Sequence, residues 1–215
     1  MDFDIGLCKE VLTLYAVTDR SWLNGRTLYS QVEQALQGGV TCLQLREKNL
    51  PRQEFLQEAR LIKRLCSQYH VPLIINDDVE IALEAGADGV HVGQRDMDAQ
   101  TARARLGSGK IIGVTAKTVE QALRAQEQGA DYLGTGAVFG SGTKKDALPI
   151  TIPQLNEICE AVHIPVVAIG GITAENVKAL AGSKISGIAV VSGIFAQTNI
   201  KAAARKLKAD ITKLL

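Results

Sequence analysis

Several features are scarce in this 215-residue chain, and each absence narrows what it can do. The four cysteines, Cys8, Cys42, Cys66 and Cys159, lie far apart, form no Cys-x-x-Cys pair and have only three histidines to join them. Neither a disulfide framework nor a zinc site follows from such spacing, and a reducing compartment fits. No apolar run reaches the roughly 18 residues of a membrane span. Met1-Asp2-Phe3-Asp4 lacks the basic and apolar regions of a secretory leader. The expectation is a cytoplasmic protein with no membrane partner. Charge of one sign is lacking as well: 24 Lys and Arg face 23 Asp and Glu, a formal net charge of +1. That excludes the broad basic surface used on nucleic acid, so any polyanion must be met by a local site. The P-loop order of glycines, lysine and hydroxyl is missing, and Gly134 to Phe139 fails the dinucleotide fingerprint at its last glycine.

What is present is an ordinary globular composition, 46% hydrophobic and 22% charged, for which one domain over residues 1–215 is the prior. Short β-branched runs alternate with longer amphipathic ones, the sign of a parallel sheet with crossover helices. Eight strands are predicted: Leu12 to Val17, Cys42 to Leu45, Pro72 to Ile75, Gly89 to Val92, Lys110 to Thr115, Tyr132 to Thr135, Pro165 to Ile169 and Gly187 to Val191. Helix starts are marked by a capping box at Thr118-Val119-Glu120-Gln121, by Asp98 before Ala99 to Leu106, and by Thr173 before Ala174 to Leu180. Glycines at Gly38, Gly86, Gly129 and Gly182 mark helix ends, where φ > 0 is often required. Eight units in 215 residues average about 27 residues each, which fits an α/β (β/α)8 TIM barrel with an eight-stranded parallel sheet. A doubly wound sheet is the alternative, and it normally has fewer strands and a topological switch point.

In a barrel, functional groups belong beyond the C-terminal ends of the strands. Strand two runs into Gln44-Leu45-Arg46-Glu47-Lys48, where alternation sends Gln44, Arg46 and Lys48 to one side as an anion clamp. Strand three leads to Asn76-Asp77-Asp78 and strand four to Asp96, so two acidic loops become neighbours. Such carboxylates suit a hard divalent cation, although Asp77, Asp78, Asp96 and Asp98 could each serve as a turn former or helix cap. His91 lies within its strand and reads as a core or supporting residue. The segment from Gly134 to Asp146 reads as the longest irregular loop, with Ser141, Thr143 and Lys144 positioned to cradle phosphate or form a lid. Gly170-Gly171 and Ser192-Gly193, followed by the short stretch Ile194-Phe195-Ala196, match the barrel phosphate site after strands seven and eight.

Together and in this order, these motifs resemble thiamine phosphate synthase over nearly the whole chain, from Tyr15-Ala16-Val17-Thr18-Asp19 to Ser192-Gly193-Ile194. The resemblance implies that a pyrimidine diphosphate condenses with a thiazole phosphate, releasing pyrophosphate. It also implies that Gln44, Arg46, Lys48, Asn76 and Lys144 hold the diphosphate, that Ser141 and Thr143 donate to it, and that Asp77 and Asp96 hold Mg2+. Gly171, Ser192 and Gly193 would take the thiazole phosphate. Thr115 stands where a serine is the commoner residue near the pyrimidine. No Ser-His-Asp or Cys-His arrangement is needed, because Arg46, Lys48 and Lys144 would act by stabilising departing charge. A thiazole tautomerase and a noncatalytic phospho-ligand barrel are the rival readings, and a homodimer is the base-rate expectation for assembly.

Overall fold

The computed structural model describes residues 9–140 and 149–215. Eight parallel strands close into a barrel in chain order, with the first pairing to the last. They are β1 (Leu14–Val17), β2 (Cys42–Leu45), β3 (Leu73–Asn76), β4 (Gly89–Val92), β5 (Ile111–Thr115), β6 (Tyr132–Gly136), β7 (Val166–Ile169) and β8 (Gly187–Val190). Around them run α1 (Leu28–Gln37), α2 (Arg52–Gln68), α3 (Val79–Ala85), α4 (Ala99–Leu106), α5 (Val119–Glu127), α6 (Ile152–Ala161), the single turn α7 (Ser192–Phe195) and α8 (Ile200–Thr212). The (β/α)8 expectation therefore holds, and the doubly wound alternative is set aside by barrel closure.

Strand alternation divides the core into two layers, as the period of two requires. Leu14, Ala16, Leu43, Leu45, Leu73 and Ile75 point outward and pack beneath the helices with Val32, Ala35, Ala59 and Ile62. Tyr15, Val17, Cys42, Ile74, Tyr132, Val167 and Ala189 point inward and fill the axis. This is a packed interior rather than a pore.

Three local expectations change. β1 begins at Leu14, because Leu12 belongs to a 3-10 turn (Lys9–Leu12). The backbone of that turn crosses so close to Gly187 that a Cβ there would lie 1.8 Å from the Leu12 oxygen. The helix expected over Ala174 to Leu180 shrinks to a 3-10 turn, Val177–Leu180, with Asn176 rather than Thr173 at its cap position. Asn176 explains the difference: its Oδ1 accepts from Thr173 N at 2.9 Å and its Nδ2 donates to Gly171 O at 2.8 Å, spending the side chain on a turn. At Thr118 the cap forms, but Gln121 Oε1 accepts from Lys117 N at 2.8 Å rather than from the cap residue. The full reciprocal box is at Thr151 and Gln154, opening α6.

A repeated Gly-Ala-Asp closes the lower rim. Asp88 accepts from Leu73 N at 2.7 Å and pairs with Lys63 at 2.7 Å, joining β3 to α2. Asp131 does the same for β5 and α4, accepting from Ile112 N and from Arg103, each at 2.6 Å. Each carboxylate thus satisfies a strand N–H that has become part-buried. Asp131→Ala should lower unfolding free energy by about 1–3 kcal/mol, the usual cost of leaving such a donor unsatisfied. Urea denaturation measures it, and a loss under about 0.5 kcal/mol would show that water replaces the carboxylate.

Candidate active site

The C-terminal mouth of the barrel opens into a cavity of about 890 Å3, its open mouth included. Six residues singled out from the sequence, Gln44, Arg46, Asn76, Thr115, Gly171 and Ser192, line it. They arrive from five different strands or the loops that follow them, so the barrel, not any local segment, assembles the site. Gly193 is buried and is not among the lining residues, and a Cβ there would meet Ile172 O at 2.5 Å. Gly171 has φ +64, and a side chain there would press on the Phe139 oxygen at 2.5 Å. Ser141, Thr143 and Lys144 lie outside the described residues.

Alternation past β2 brings Gln44 and Arg46 to the cavity wall, Lys48 is not among the residues that line it, and both cations carry partners the sequence does not announce. Arg46 N donates to Thr18 Oγ1 at 2.9 Å and its Nη1 to Asp19 Oδ2 at 3.0 Å, which fixes the guanidinium from β1. Lys48 Nζ lies 2.5 Å from Asp77 Oδ2. Glu47 turns the other way, its side chain only 3% exposed, and meets Arg20 at 2.8 Å. Arg20 also reaches Glu58 at 2.7 Å, so two carboxylates share one guanidinium. Burial and the neighbouring Glu58 push the Glu47 carboxyl up to about 7 against the pull of Arg20.

Asp78 caps α3 through Ile81 N at 2.8 Å, and Asp98 caps α4 through Thr101 N at 2.9 Å. Both are structural. Asp77 and Asp96 are different, since their side chains interact across the β3 and β4 loops. Asp77 has a left-handed backbone, φ +64, with its N donating to His91 O at 2.8 Å. Burial would raise its pKa, but the Lys48 ammonium holds it below the ordinary carboxylate range. Asp96 is raised by burial and by the Asp77 charge, although Gly93 N donates to it at 2.7 Å. Two carboxylates that repel each other beside a cation fit a divalent ion that also needs substrate oxygens. Among the described residues no group of three or more His, Cys, Asp or Glu could hold a metal by itself.

The cavity floor holds what the sequence did not single out. Tyr15 and Tyr132 meet edge to face, with centroids 5.9 Å apart and hydroxyls at 2.8 Å. Gln44 Nε2 donates to Tyr15 Oη at 2.8 Å, and His91 Nδ1 lies 3.0 Å from Tyr132 Oη. The other ring nitrogen, Nε2, lies 3.0 Å from Thr115 Oγ1. His91 is thus a supporting residue that also lines the cavity. The sequence signal was glycine within strands: a Cβ at Gly113 would sit 2.1 Å from Tyr132 Cζ and 2.5 Å from His91 Nδ1, and one at Gly134 would sit 2.9 Å from His91 Cε1.

The arrangement is that of a (β/α)8-barrel enzyme handling an anionic small molecule, with cations, carboxylates and a cavity of mixed polar and apolar lining gathered at the catalytic face. A family model described as thiamine monophosphate synthase matches residues 14–194. The thiamine-phosphate synthase of Clostridium tetani is 50% identical over 91% of this chain and 93% of its own. That of Ruminiclostridium cellulolyticum is 51% identical over 91% of this chain and 93% of its own. The solved thiamine phosphate pyrophosphorylase from Pyrococcus furiosus superposes with a TM-score of 0.89 at 35% identity, covering 96% of this chain and 98% of that one. This chain belongs to the thiamine-phosphate synthase family.

Two outcomes test the site's construction. Gly113→Ala should displace the Tyr132 and His91 rings and destabilise the fold by about 1–3 kcal/mol, the usual cost of overpacking. Denaturant titration together with aromatic NMR shifts would report both effects, and unchanged ring shifts would disprove the steric argument. Glu47 supplies a pH dependence. Its folded pKa of about 7 exceeds the roughly 4.3 of an unfolded glutamate, so the folded state binds more protons between those values. Stability from this group is present below about pH 4 and is lost as pH rises to about 7. The stability advantage of the native chain over Glu47→Gln should therefore be larger at pH 5 than at pH 8, measured by urea unfolding. Equal differences at the two pH values would contradict the raised value.

Proposed function

We propose that this chain, acting as one catalytic barrel domain over residues 1–215, joins 4-amino-2-methyl-5-hydroxymethylpyrimidine diphosphate to a thiazole phosphate. The products are thiamine phosphate and pyrophosphate. One observation carries the reading: in a member of this family, Gln44, Arg46, Asn76, Thr115, Gly171 and Ser192 line one cavity, with Lys48, Asp77 and Asp96 on the loops that follow β2, β3 and β4. Cations beside a polar heterocycle-sized floor suit a substrate with an anionic end and a flat end.

The chemistry requires no activated nucleophile. The carbon–oxygen bond to pyrophosphate breaks first, the electron-rich aminopyrimidine delocalises the resulting methylene cation, and the thiazole nitrogen attacks it. Arg46 and Lys48 stabilise the departing negative charge, and Gln44 and Asn76 orient the diphosphate substrate. Lys144, Ser141 and Thr143 complete that clamp in this reading, on the strength of the sequence motif. The backbone around Gly171, Ser192 and Gly193 receives the thiazole phosphate, since the first N–H groups of a helical turn lack partners within it. Asp77 and Asp96 would hold Mg2+, which supplies neutralisation of phosphate charge when bound. Lys48, now paired with Asp77, would then be available to a substrate oxygen.

The accompanying expectations are a cytoplasmic location, a homodimer, and small molecules rather than nucleic acid as partners. The near-zero net charge supports the last, and the free Cys42, Cys66 and Cys159 support a reducing compartment. The test is to mix both substrates with the protein and follow pyrophosphate and thiamine phosphate together. Stoichiometric formation of both, abolished by a chelator and restored by Mg2+, is expected. Arg46→Ala should lower kcat by about a hundredfold, as loss of one preorganised charge-stabilising donor does. Folded protein that yields neither product would move the assignment to the tautomerase or to the phospho-ligand-binding reading.

A further inference from the structure

β1 and β2 pair in parallel with Val17 opposite Gln44, and the residues beyond them keep that register. Thr18 N donates to Gln44 O at 3.0 Å and Arg46 N to Thr18 Oγ1 at 2.9 Å. Past that point the ladder continues in side chains. Asp19-Arg20 stands against Arg46-Glu47 with the charges in reverse order, so two ion pairs form side by side, each joining residues 27 apart in the chain. Arg46 belongs to the cavity wall, whereas the Arg20 pair is joined by Glu58 of α2.

We infer that Arg20, which does not line the cavity, is a positioning residue for Arg46: it locks the β1–α1 loop onto the β2–α2 loop and so holds Asp19 where it orients the guanidinium of Arg46.

The loop needs such a tie. After β1 the chain makes one 3-10 turn, Arg20–Trp22, that buries none of its residues, so packing does little to place it. Asp19 caps this turn, its Oδ1 accepting from Ser21 N at 2.8 Å, and offers Oδ2 to Arg46 Nη1 at 3.0 Å. The carboxylate therefore moves with the turn, whose first residue is Arg20. Arg20 Nε donates to the two Glu47 oxygens at 2.9 and 2.8 Å, and Nη2 to the two Glu58 oxygens at 2.7 Å. Gln31 Nε2, donating to Trp22 O at 2.7 Å, holds the far end of the turn on α1. The Arg20 tie instead reaches Glu47, the residue next to Arg46. A guanidinium suits this place, because its planar fork meets two carboxylates in different directions, whereas a lysine offers one mobile point charge. Glu47 is almost fully buried, so its half of the clasp is poorly screened by solvent.

The consequence for turnover rests on the functional reading above, whereas the positioning does not. The first experiment is therefore NMR of the arginine guanidinium groups in the free protein, with Arg46 assigned by loss of its signals in Arg46→Ala. Nη1 and Nη2 resonate separately where a guanidinium is held and merge where it rotates freely. Arg46 should show separate signals in the native protein and merged ones in Arg20→Gln. Arg20→Gln/Glu47→Gln, which leaves no uncompensated buried carboxylate and so protects the fold, should merge them too. Merged signals in the native protein, or separate ones in the folded double variant, overturn the inference. Steady-state kinetics then vary each substrate in turn. The double variant should raise KM for the pyrimidine diphosphate and lower kcat, each by about tenfold, since a misplacement of about 1 Å costs up to about a hundredfold. KM for the thiazole phosphate should stay unchanged, and Arg20→Lys should fall between native and variant. A merely structural role would lower the active fraction and leave both KM values alone, which overturns the claim for turnover. On an Arg46→Ala background the same substitutions should change the pyrimidine diphosphate KM by less than about twofold, and additive effects also overturn it. If the NMR result is as expected but the native protein forms no product, the positioning of Arg46 stands and the substrate assignment fails.

Discussion

Two tyrosines inside one barrel constrain much of what surrounds them. A closed ring of eight short strands leaves little axial space, and Tyr15 and Tyr132 occupy it with 1% and 0% exposure. The Tyr132 ring fits because β5 offers Gly113 where a side chain would collide with it, and the His91 ring beside it fits because Gly113 and Gly134 both leave it room. The two tyrosine hydroxyls are tolerable only because each is hydrogen-bonded, since a buried unpaired hydroxyl costs about 1–3 kcal/mol. That requirement recruits Gln44 and His91, and through His91 it reaches Thr115. Packing in the core thereby dictates which polar groups face the substrate cavity.

Above this floor, Arg46 and Lys48 are neutralised charges rather than bare cations. Arg46 is paired with Asp19 and Lys48 with Asp77, consistent with a chain whose overall charge is nearly zero. Pairing serves two purposes. It keeps long side chains in place before a ligand arrives, reducing the ordering cost of binding, and it holds Asp77 in its charged form beside Asp96. An incoming diphosphate with a divalent ion brings both signs of charge and can satisfy both members of the pair at once.

The sequence was most informative where a rule links residue type to local geometry. Period-two alternation sent Gln44 and Arg46 to the cavity and Leu45 and Glu47 away from it, and Asp98 was recognisable as a cap from its place before Ala99. It was least informative where a side chain's partner lies far along the chain. Nothing in Tyr15 announces Tyr132, which is 117 residues away, and nothing in Arg46 announces Asp19. The usable clue to the floor was Gly113 within a strand, because such a residue marks the close approach of something large. The lost helix after Thr173 has a similar origin: the propensity of Ala174 to Leu180 was overridden by Asn176, whose amide tied the segment to Gly171 O.

The same residue type does opposite work at the two rims, and the difference lies in saturation. Asp88 accepts a strand N–H and a lysine together, and Asp131 a strand N–H and an arginine, so neither can change partner without stranding a backbone donor. Such carboxylates hold the barrel together. Asp77 is paired to Lys48 at a site where both side chains are more open, 48% and 29% exposed against 24% and 20% for Lys63 and Asp88. An exposed pair of that kind contributes only about 0–1 kcal/mol, so exchanging it for a ligand costs little. A carboxylate committed to the backbone is therefore a structural part, and one committed to neighbouring side chains, such as the exposed Lys48 ammonium, remains available for chemistry.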